Sequence, residues 1–227
     1  MSGPIPTLYT QVETAVVDRL RLGLGSMVRS VASYGGELDD DMGAIVAALP
    51  AAWVTFGGIT NSRPTSTSRR KFRCEGKFVV MVGDRNGRGE QASRQGGVQA
   101  SEVGTYPLLY AVRRLLAAQD LDLPIEAFTP GRVRTLFNTK VARQALSVFA
   151  AEFDTVWIES ALDLDRWPAP VAGDEEDPDQ VFATYKGKLD TPYPDLDRVA
   201  LHVYPAPPNQ EDPAVTDVVP LNTEESS

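Results

Sequence analysis

At 227 residues, with 42% hydrophobic and 8% aromatic content and a net charge of −9, the chain is long enough for one domain with a sizeable core plus a tail. No apolar run approaches the roughly 18 residues of a membrane span. The opening MSGPIPTLYTQVE lacks the basic-then-apolar pattern of a signal peptide, so the expected compartment is the cytosol in which the chain is made.

In chain order, residues 7–22 read as a helix. Leu8, Val12, Ala15, Val16 and Leu20 form one apolar stripe, Thr10 and Glu13 have capping-box spacing, and Gly23 and Gly25 follow as terminators. Residues 27–34 suggest a short strand ending in the turn Ser33-Tyr34-Gly35-Gly36. Asp39 or Asp40 can cap a second short helix carrying Met42, Ile45, Val46 and Leu49, stopped by Pro50. Residues 52–57, AWVTFG, form the next strand. The following stretch 58–70, GITNSRPTSTSRR, has no apolar periodicity and reads as a mobile loop.

The organising element is residues 71–83, KFRCEGKFVVMVG. Phe72, Cys74, Phe78, Val80 and Val82 fall on one side of an extended backbone; Arg73, Glu75, Lys77, Val79 and Met81 fall on the other. One face is wet in the first half and both are apolar in the second. Such a strand leaves the packed centre of a sheet and projects as an arm, half of a β-hairpin whose tip orders on a partner. Cys74, the single cysteine, forms no internal disulfide and reads as a small core residue. A second polar loop, 84–101, is long enough to be functional or to order on a partner.

Residues 105–119 give the clearest helix, with Leu108, Leu109, Val112, Leu115 and Leu116 on one face and Pro107 in the first turn. Burying each of these five contributes about 1.5–3 kcal/mol before entropy is subtracted. Pro130-Gly131 turns into a strand at 132–137, and 146–158 gives a long strand, its expected antiparallel neighbour. Short strand pieces are expected at 181–185 and 198–204. Residues 158–227 hold 16 acidic against 4 basic residues, a balance of −12, whereas residues 1–157 hold 15 against 18, or +3. With Pro205, Pro207, Pro208, Pro213 and Pro220, the last part reads as an extended acidic appendage. The expected organisation is an α+β domain at 1–158 and an acidic, proline-rich region at 159–227. The domain is a mixed, mainly antiparallel sheet with two or three helices on one face and a projecting β-hairpin.

Searches for chemistry return little. No phosphate-binding loop is present, and Gly23-Leu24-Gly25 lacks the third glycine of a dinucleotide site. Asp84-Arg85-Asn86-Gly87-Arg88 begins like a calcium loop but carries Arg88 and Gln95 at ligand positions. One histidine, His202, and one cysteine make no zinc set, Cys–His pair or serine triad. The acidic run at Asp174–Asp179 reads as a solvated loop rather than a cation site. The expectation is no catalytic residue, no metal and no cofactor. The candidate contact residues are Arg63, Arg69, Arg70, Arg73, Glu75, Lys77, Arg85, Arg88 and Arg94. The arginines suit subunit contact, plain solvation or nucleic acid; overall acidity and the lack of interleaved aromatics weigh against the last.

Several blocks in one order carry a resemblance. They are Val31-Ala-Ser33-Tyr34-Gly35-Gly36-Glu37-Leu38, Leu49-Pro50-Ala-Ala-Trp53-Val54-Thr55-Phe56-Gly57-Gly58, the strand closing on Val79-Val80-Met81-Val82, Gly104-Thr-Tyr106-Pro-Leu108-Leu109, Pro130-Gly131-Arg132-Val133-Arg134 and Leu146-Ser147-Val148-Phe149. Over about residues 8–158 the chain resembles the Mu-like gene product 37 family of bacteriophages and prophages, and this family looks like the tail terminators of long-tailed phages. The resemblance implies a structural protein of the virion and no enzyme. It implies a hexameric ring at the head-proximal end of the tail tube that ends tube growth and joins a head–tail connector, with DNA passing through without specific binding. It further implies assembly in the host cytoplasm, no cofactor and no membrane partner. Another neck or head-completion protein, a carboxylate-dependent hydrolase and a DNA-binding module are the alternatives. The family pattern does not extend to 159–227.

Overall fold

The computed structural model describes residues 7–36, 47–86, 94–96, 103–141, 144–174, 177–190, 198–203 and 215–220. The chain divides into two compact units, Met1–Trp167 and Pro168–Ser227.

The first unit is an α+β fold. Helix α1 (Leu8–Leu24) is followed by a 3-10 turn, then β1 (Ser30–Ser33), β2 (Ala51–Pro64), β3 (Lys71–Asn86), α2 (Thr105–Leu116), β4 (Thr129–Val141) and β5 (Gln144–Ser160). The sheet order is β1-β2-β3-β5-β4, with β1 parallel to β2 and every other pair antiparallel. The stretch expected to organise the chain is the central strand, extended to Asn86.

The alternation on β3 decides which residues go where. Phe78, Val80 and Val82 face α1 and α2, joining Val12, Val16, Leu20, Leu108, Val112, Leu116, Phe128 and Phe153 in the larger core. Val79 and Met81 face the other way, into a smaller core with Leu49, Trp53, Leu146 and Val148. Cys74 is fully buried, as its position predicts. Arg73, Glu75 and Lys77 continue that second face beyond the small core, and all three are only half-buried.

Lengths explain the arm. β3 has 16 residues and β5 has 17, so each spans roughly 50 Å at about 3.3 Å per residue. α1 has 17 residues and α2 has 12, giving roughly 25 and 18 Å at 1.5 Å per residue. Helices about half the length of the strands leave the outer part of β2 uncovered, while Cys74, Thr155 and Trp157 on β3 and β5 stay buried. Burial along β2 records this: Ala51–Val54 is buried, and the strand is exposed over most of its length from Gly57 outward.

The structure corrects several expectations. Most of the stretch 58–70 is not a loop: β2 continues to Pro64, pairing Ser62 with Cys74 and Arg63 with Arg73, and only 65–70 turns. The pattern hid this because both faces of the segment are wet. The register slips at Phe56/Ile59 and Ile59/Asn61, where Gly58 (φ +95°) takes a conformation that suits glycine. Gly23 lies inside α1, where a side chain would meet Leu115 of α2; the helix ends at Leu24 with Gly25 at φ +50°. The capping box is not formed. Thr7 holds the N-cap position, while Glu13 accepts hydrogen bonds from the Ser33 hydroxyl and the Phe56 amide, the latter at 3.2 Å. Pro130-Gly131 is part of β4 itself, at a bulge on the sheet's outer strand. Of the expected helix at 39–49 only 47–49 are described, with 47–48 helical, and most of the 84–101 loop lies outside the described residues.

In the second unit, 181–185 is not a strand. Gln180–Thr184 forms the short helix α3. Lys186 at φ +57° and the Gly187 amide donating to Phe182 O close it in a Schellman arrangement. β6 (Arg198–Val203) falls on the strand piece expected at 198–204 and pairs antiparallel with β7 (Val215–Pro220), a strand that the sequence pattern did not suggest.

Candidate functional site

The uncovered end of the sheet gathers six of the nine candidate residues. At its tip the turn after Pro64 is closed by the Thr65 amide on Lys71 O (2.9 Å) and the Arg69 amide on Ser66 O (3.2 Å), with Arg69 itself at φ +53°. The chain leaving β5 comes back to this tip. The Ala161 amide donates to Arg70 O at 2.8 Å, and the Arg70 guanidinium pairs with Asp163.

On the face opposite the helices, Arg63 and Arg73 stand in register on neighbouring strands. Two like charges in that relation repel. Arg73 is compensated by Glu75 at 2.6 Å and Glu126 at 3.1 Å; Arg63 and Arg69 are in no ion pair with a described residue. Further in, Lys77 Nζ donates to Glu152 Oε2 at 2.7 Å. That hydrogen bond raises the lysine above its ordinary range and holds the glutamate below its own. The arm thus ends in two arginines, Arg63 and Arg69, with no described ion-pair partner, while the Lys77–Glu152 pair stands further in.

Arg85 and Arg94 are elsewhere. Arg85 lies roughly 45 Å along β3 from Lys71, at about 3.3 Å per residue. There Asp84, buried, accepts the Arg85 amide at 2.7 Å and the Gly104 amide at 2.8 Å, anchoring the start of α2. The carbonyl of Arg94 lies beside Gly104. Arg88 is outside the described residues. The nine residues therefore do not form one patch.

Sequence reasoning missed the contact that ties α1 to the arm. Glu159 on β5 accepts the Tyr9 phenol at 2.5 Å and the Trp157 indole at 2.8 Å. Burial alone would push this carboxyl up, but the hydrogen bonds from Tyr9, Trp157 and Cys74 together outweigh it and hold the group below its usual range. Burial pushes Cys74 up, which keeps the thiol protonated and unreactive. Tyr9 stacks on Phe56 with centroids 4.8 Å apart and meets Trp157 edge-on at 5.7 Å. Nothing in the sequence links positions 9, 56 and 159.

A shallow cleft at the arm's root is lined by Thr60, Arg73, Glu75, Glu126 and Asp154 among others. There Arg73 is ion-paired with both Glu75 and Glu126 on an open surface. Among the described residues no group of three or more His, Cys, Asp or Glu side chains is placed to hold a metal ion. In the second unit Asp177 accepts the amides of Val171 (2.8 Å) and Asp179 (2.9 Å), so this acidic run closes its own backbone turn. His202 falls on β6 opposite Thr216.

The family model described as "Bacteriophage Mu, Gp37" matches residues 8–158. No curated protein matches the chain. Among solved structures, a chain from one described as "Virion of native gene transfer agent (GTA) particle" is similar, with 18% identity and a TM-score of 0.36, over 63% of this chain and 94% of that one. A likeness that distant carries no argument about function.

Proposed function

The chain belongs to the bacteriophage Mu Gp37 family, and on that premise we propose that it is a structural protein of the phage particle that terminates the tail. In this reading, copies close into a ring, hexameric by the family resemblance, at the head-proximal end of the tail tube. The ring occupies the last exposed tube surface, offers no equivalent surface for another tube ring, and presents its other side to a head–tail connector. DNA passes through the ring without being specifically bound. The protein acts by shape and catalyses nothing; it belongs to the virion and is assembled in the host cytoplasm. No helix among the described residues is long and apolar enough to cross a membrane.

The observation that carries this reading is the arm. β2, β3 and β5 outrun the helices and end in Arg63 and Arg69, whose charges no described residue neutralises. A buried element needs no such extension, whereas a subunit that must reach a neighbour or a tube ring does. The Arg63–Lys77 segment and its flanking loops form the contact to ring and tube, with residues 1–158 as the ring domain and 159–227 as an acidic appendage.

Cryo-electron microscopy of the particle, with this chain fitted to the density, tests the proposal. A ring of copies between tube and connector is expected. A ring seated on the portal with no tube contact would make it a head-completion protein instead, and a single isolated copy would end the ring reading.

A further inference from the structure

The two most exposed large apolar side chains among the described residues both belong to the first unit: Leu164 at 89% and Leu22 at 87%. Leu164 stands at the end of the arm. Past β5 the chain is fixed to the tip by the Ala161 amide on Arg70 O and by the Asp163–Arg70 ion pair. It then turns sharply, the Arg166 amide closing on Asp163 O at 3.0 Å with Asp165 at φ +59°. Leu164 is the first central residue of that turn, so the backbone presents it outward. Arg69, next to Arg70, and Arg63 are the tip cations in no ion pair with a described residue.

Leu22 borders a groove of about 500 Å³ between α1 and the C-terminal end of α2. Ala15, Leu22, Gly23, Leu115 and Leu121 give it apolar walls, and exposed Asp122 lines it as well. Arg19, which also lines it, is turned onto Leu115 O at 2.6 Å and Gln119 Oε1 at 2.8 Å. Asp18 shares a helix face with Leu22 at i, i+4. Its pair with Arg21 at 3.0 Å is exposed on both sides and worth little. The groove beside Ile158 is apolar too, but its carboxylate, Glu126, is already taken by Arg73. An exposed leucine flanked by arginines thus has a counterpart in an apolar groove flanked by carboxylates.

Tip and groove do not meet within one copy. Tyr9 is tied to Glu159 near the outer end of β5, and α1 runs inward from there, Glu13 reaching Phe56, which stands in register with Phe78. Gly23 lies roughly 21 Å further along α1 from Tyr9, at 1.5 Å per residue. Leu164 lies the other way, its turn pinned to Arg70 outside the pairing of Phe72 with Glu159.

We propose that the arm tip of one copy seats Leu164 in the α1–α2 groove of the next copy, with Arg63 and Arg69 against Asp122 and Asp18. This rests on the ring reading and specifies it, since a contact between two different patches repeats head to tail and closes wherever the rotation closes. Apolar burial forms the centre of the contact, and the surrounding charges set its register.

The test mixes two full-length variants in equal parts, Leu164→Cys and Leu22→Cys, with and without purified tail tubes, under mild oxidation. Each chain carries one new thiol and Cys74 is buried, so a disulfide between positions 164 and 22 joins two copies. Both positions are exposed, so neither exchange disturbs the core. Peptide mapping should find the 164–22 link at least fivefold above 164–164 and 22–22 links. It should fall at least threefold when the Leu22→Cys copy also carries Asp122→Arg. Rings in negative-stain micrographs without the 164–22 link would overturn the inference and leave the ring reading standing. Linked copies in open filaments would uphold the contact and sink the ring, and the absence of links and rings alike, with tubes present, would overturn both.

Discussion

Tyr9, in the first turn of α1, donates a 2.5 Å hydrogen bond to Glu159, 150 residues later near the outer end of β5. The bond clamps the start of the helix to the outer part of the arm, beside the stacked rings of Tyr9 and Phe56. Burial first, then the hydrogen bond and charge of Glu159, push the phenol up to about 12. A raised folded-state value stabilises the fold fully below the ordinary tyrosine value of 10.0 and is lost as pH rises through about 12. Tyr9→Phe should cost about 1 kcal/mol at neutral pH. The gap in stability between wild type and variant, followed by denaturant unfolding, should narrow between pH 10 and 12; a constant gap would show that the phenol is not the group responsible.

Gly76 is where the backbone of β3 passes closest to Trp157. A Cβ there would stand 2.4 Å from the indole Cη2, and the indole cannot swing away without giving up Glu159. Gly76→Ala should destabilise by about 1–3 kcal/mol and shift the tryptophan emission to longer wavelength. An unchanged melting temperature and spectrum would mean that Trp157 is free to repack.

The Lys77–Glu152 pair sits on the sheet face opposite the helices with both side chains largely covered. Its hydrogen bond holds Glu152 low and Lys77 high. The glutamate's share of stability is therefore present at neutral pH and lost as pH falls through its depressed value, while the lysine's is lost only as pH rises through its raised one. A double-mutant cycle with Lys77→Met and Glu152→Gln should give a coupling of about 0.5–1 kcal/mol at neutral pH, fading in acid. Coupling that persists once the carboxyl is protonated would point to packing instead of charge.

Arg63→Glu with Arg69→Glu should leave unfolding free energy within about 0.5 kcal/mol of wild type, since neither arginine has a described ion-pair partner and Arg63 faces Arg73. The same variant should fail to bind purified tail tubes in a sedimentation assay. Full binding with both charges reversed would remove the arm from the proposed contact.

Much of the first unit was legible because burial imprints a period on the sequence. β3 announced its position through Phe78, Val80 and Val82 against Val79 and Met81, and α2 through Leu108, Val112 and Leu116. The outer half of β2 was illegible for the converse reason: Thr60, Ser62 and Arg63 are wet on both faces and held by β3 alone, so they leave no pattern. The clustering of Arg63, Arg69 and Arg70 could be read from proximity in sequence, but the distance of Arg85 and Arg94 from them could not, because it depends on how far β3 runs. The Tyr9–Glu159 clamp is a product of the tertiary fold and gave no local signal. In the second unit, VFATY alternates like a strand, yet Lys186-Gly187 supplies a helix-closing signal that outweighs alternation over so short a stretch.

Glu13 has a wider consequence. β1 ends at Ser33, and directly beyond it the Glu13 carboxylate takes the Phe56 amide, plugging the margin of the sheet where another backbone would otherwise zip on. Beyond it, from Gly57 to Pro64, β2 runs roughly 25 Å at about 3.3 Å per residue and, among the described residues, pairs with β3 alone. A side chain from a helix thus takes up a β2 amide just past the point where β1 gives out, so one carboxylate finishes the pairing that the short strand leaves undone.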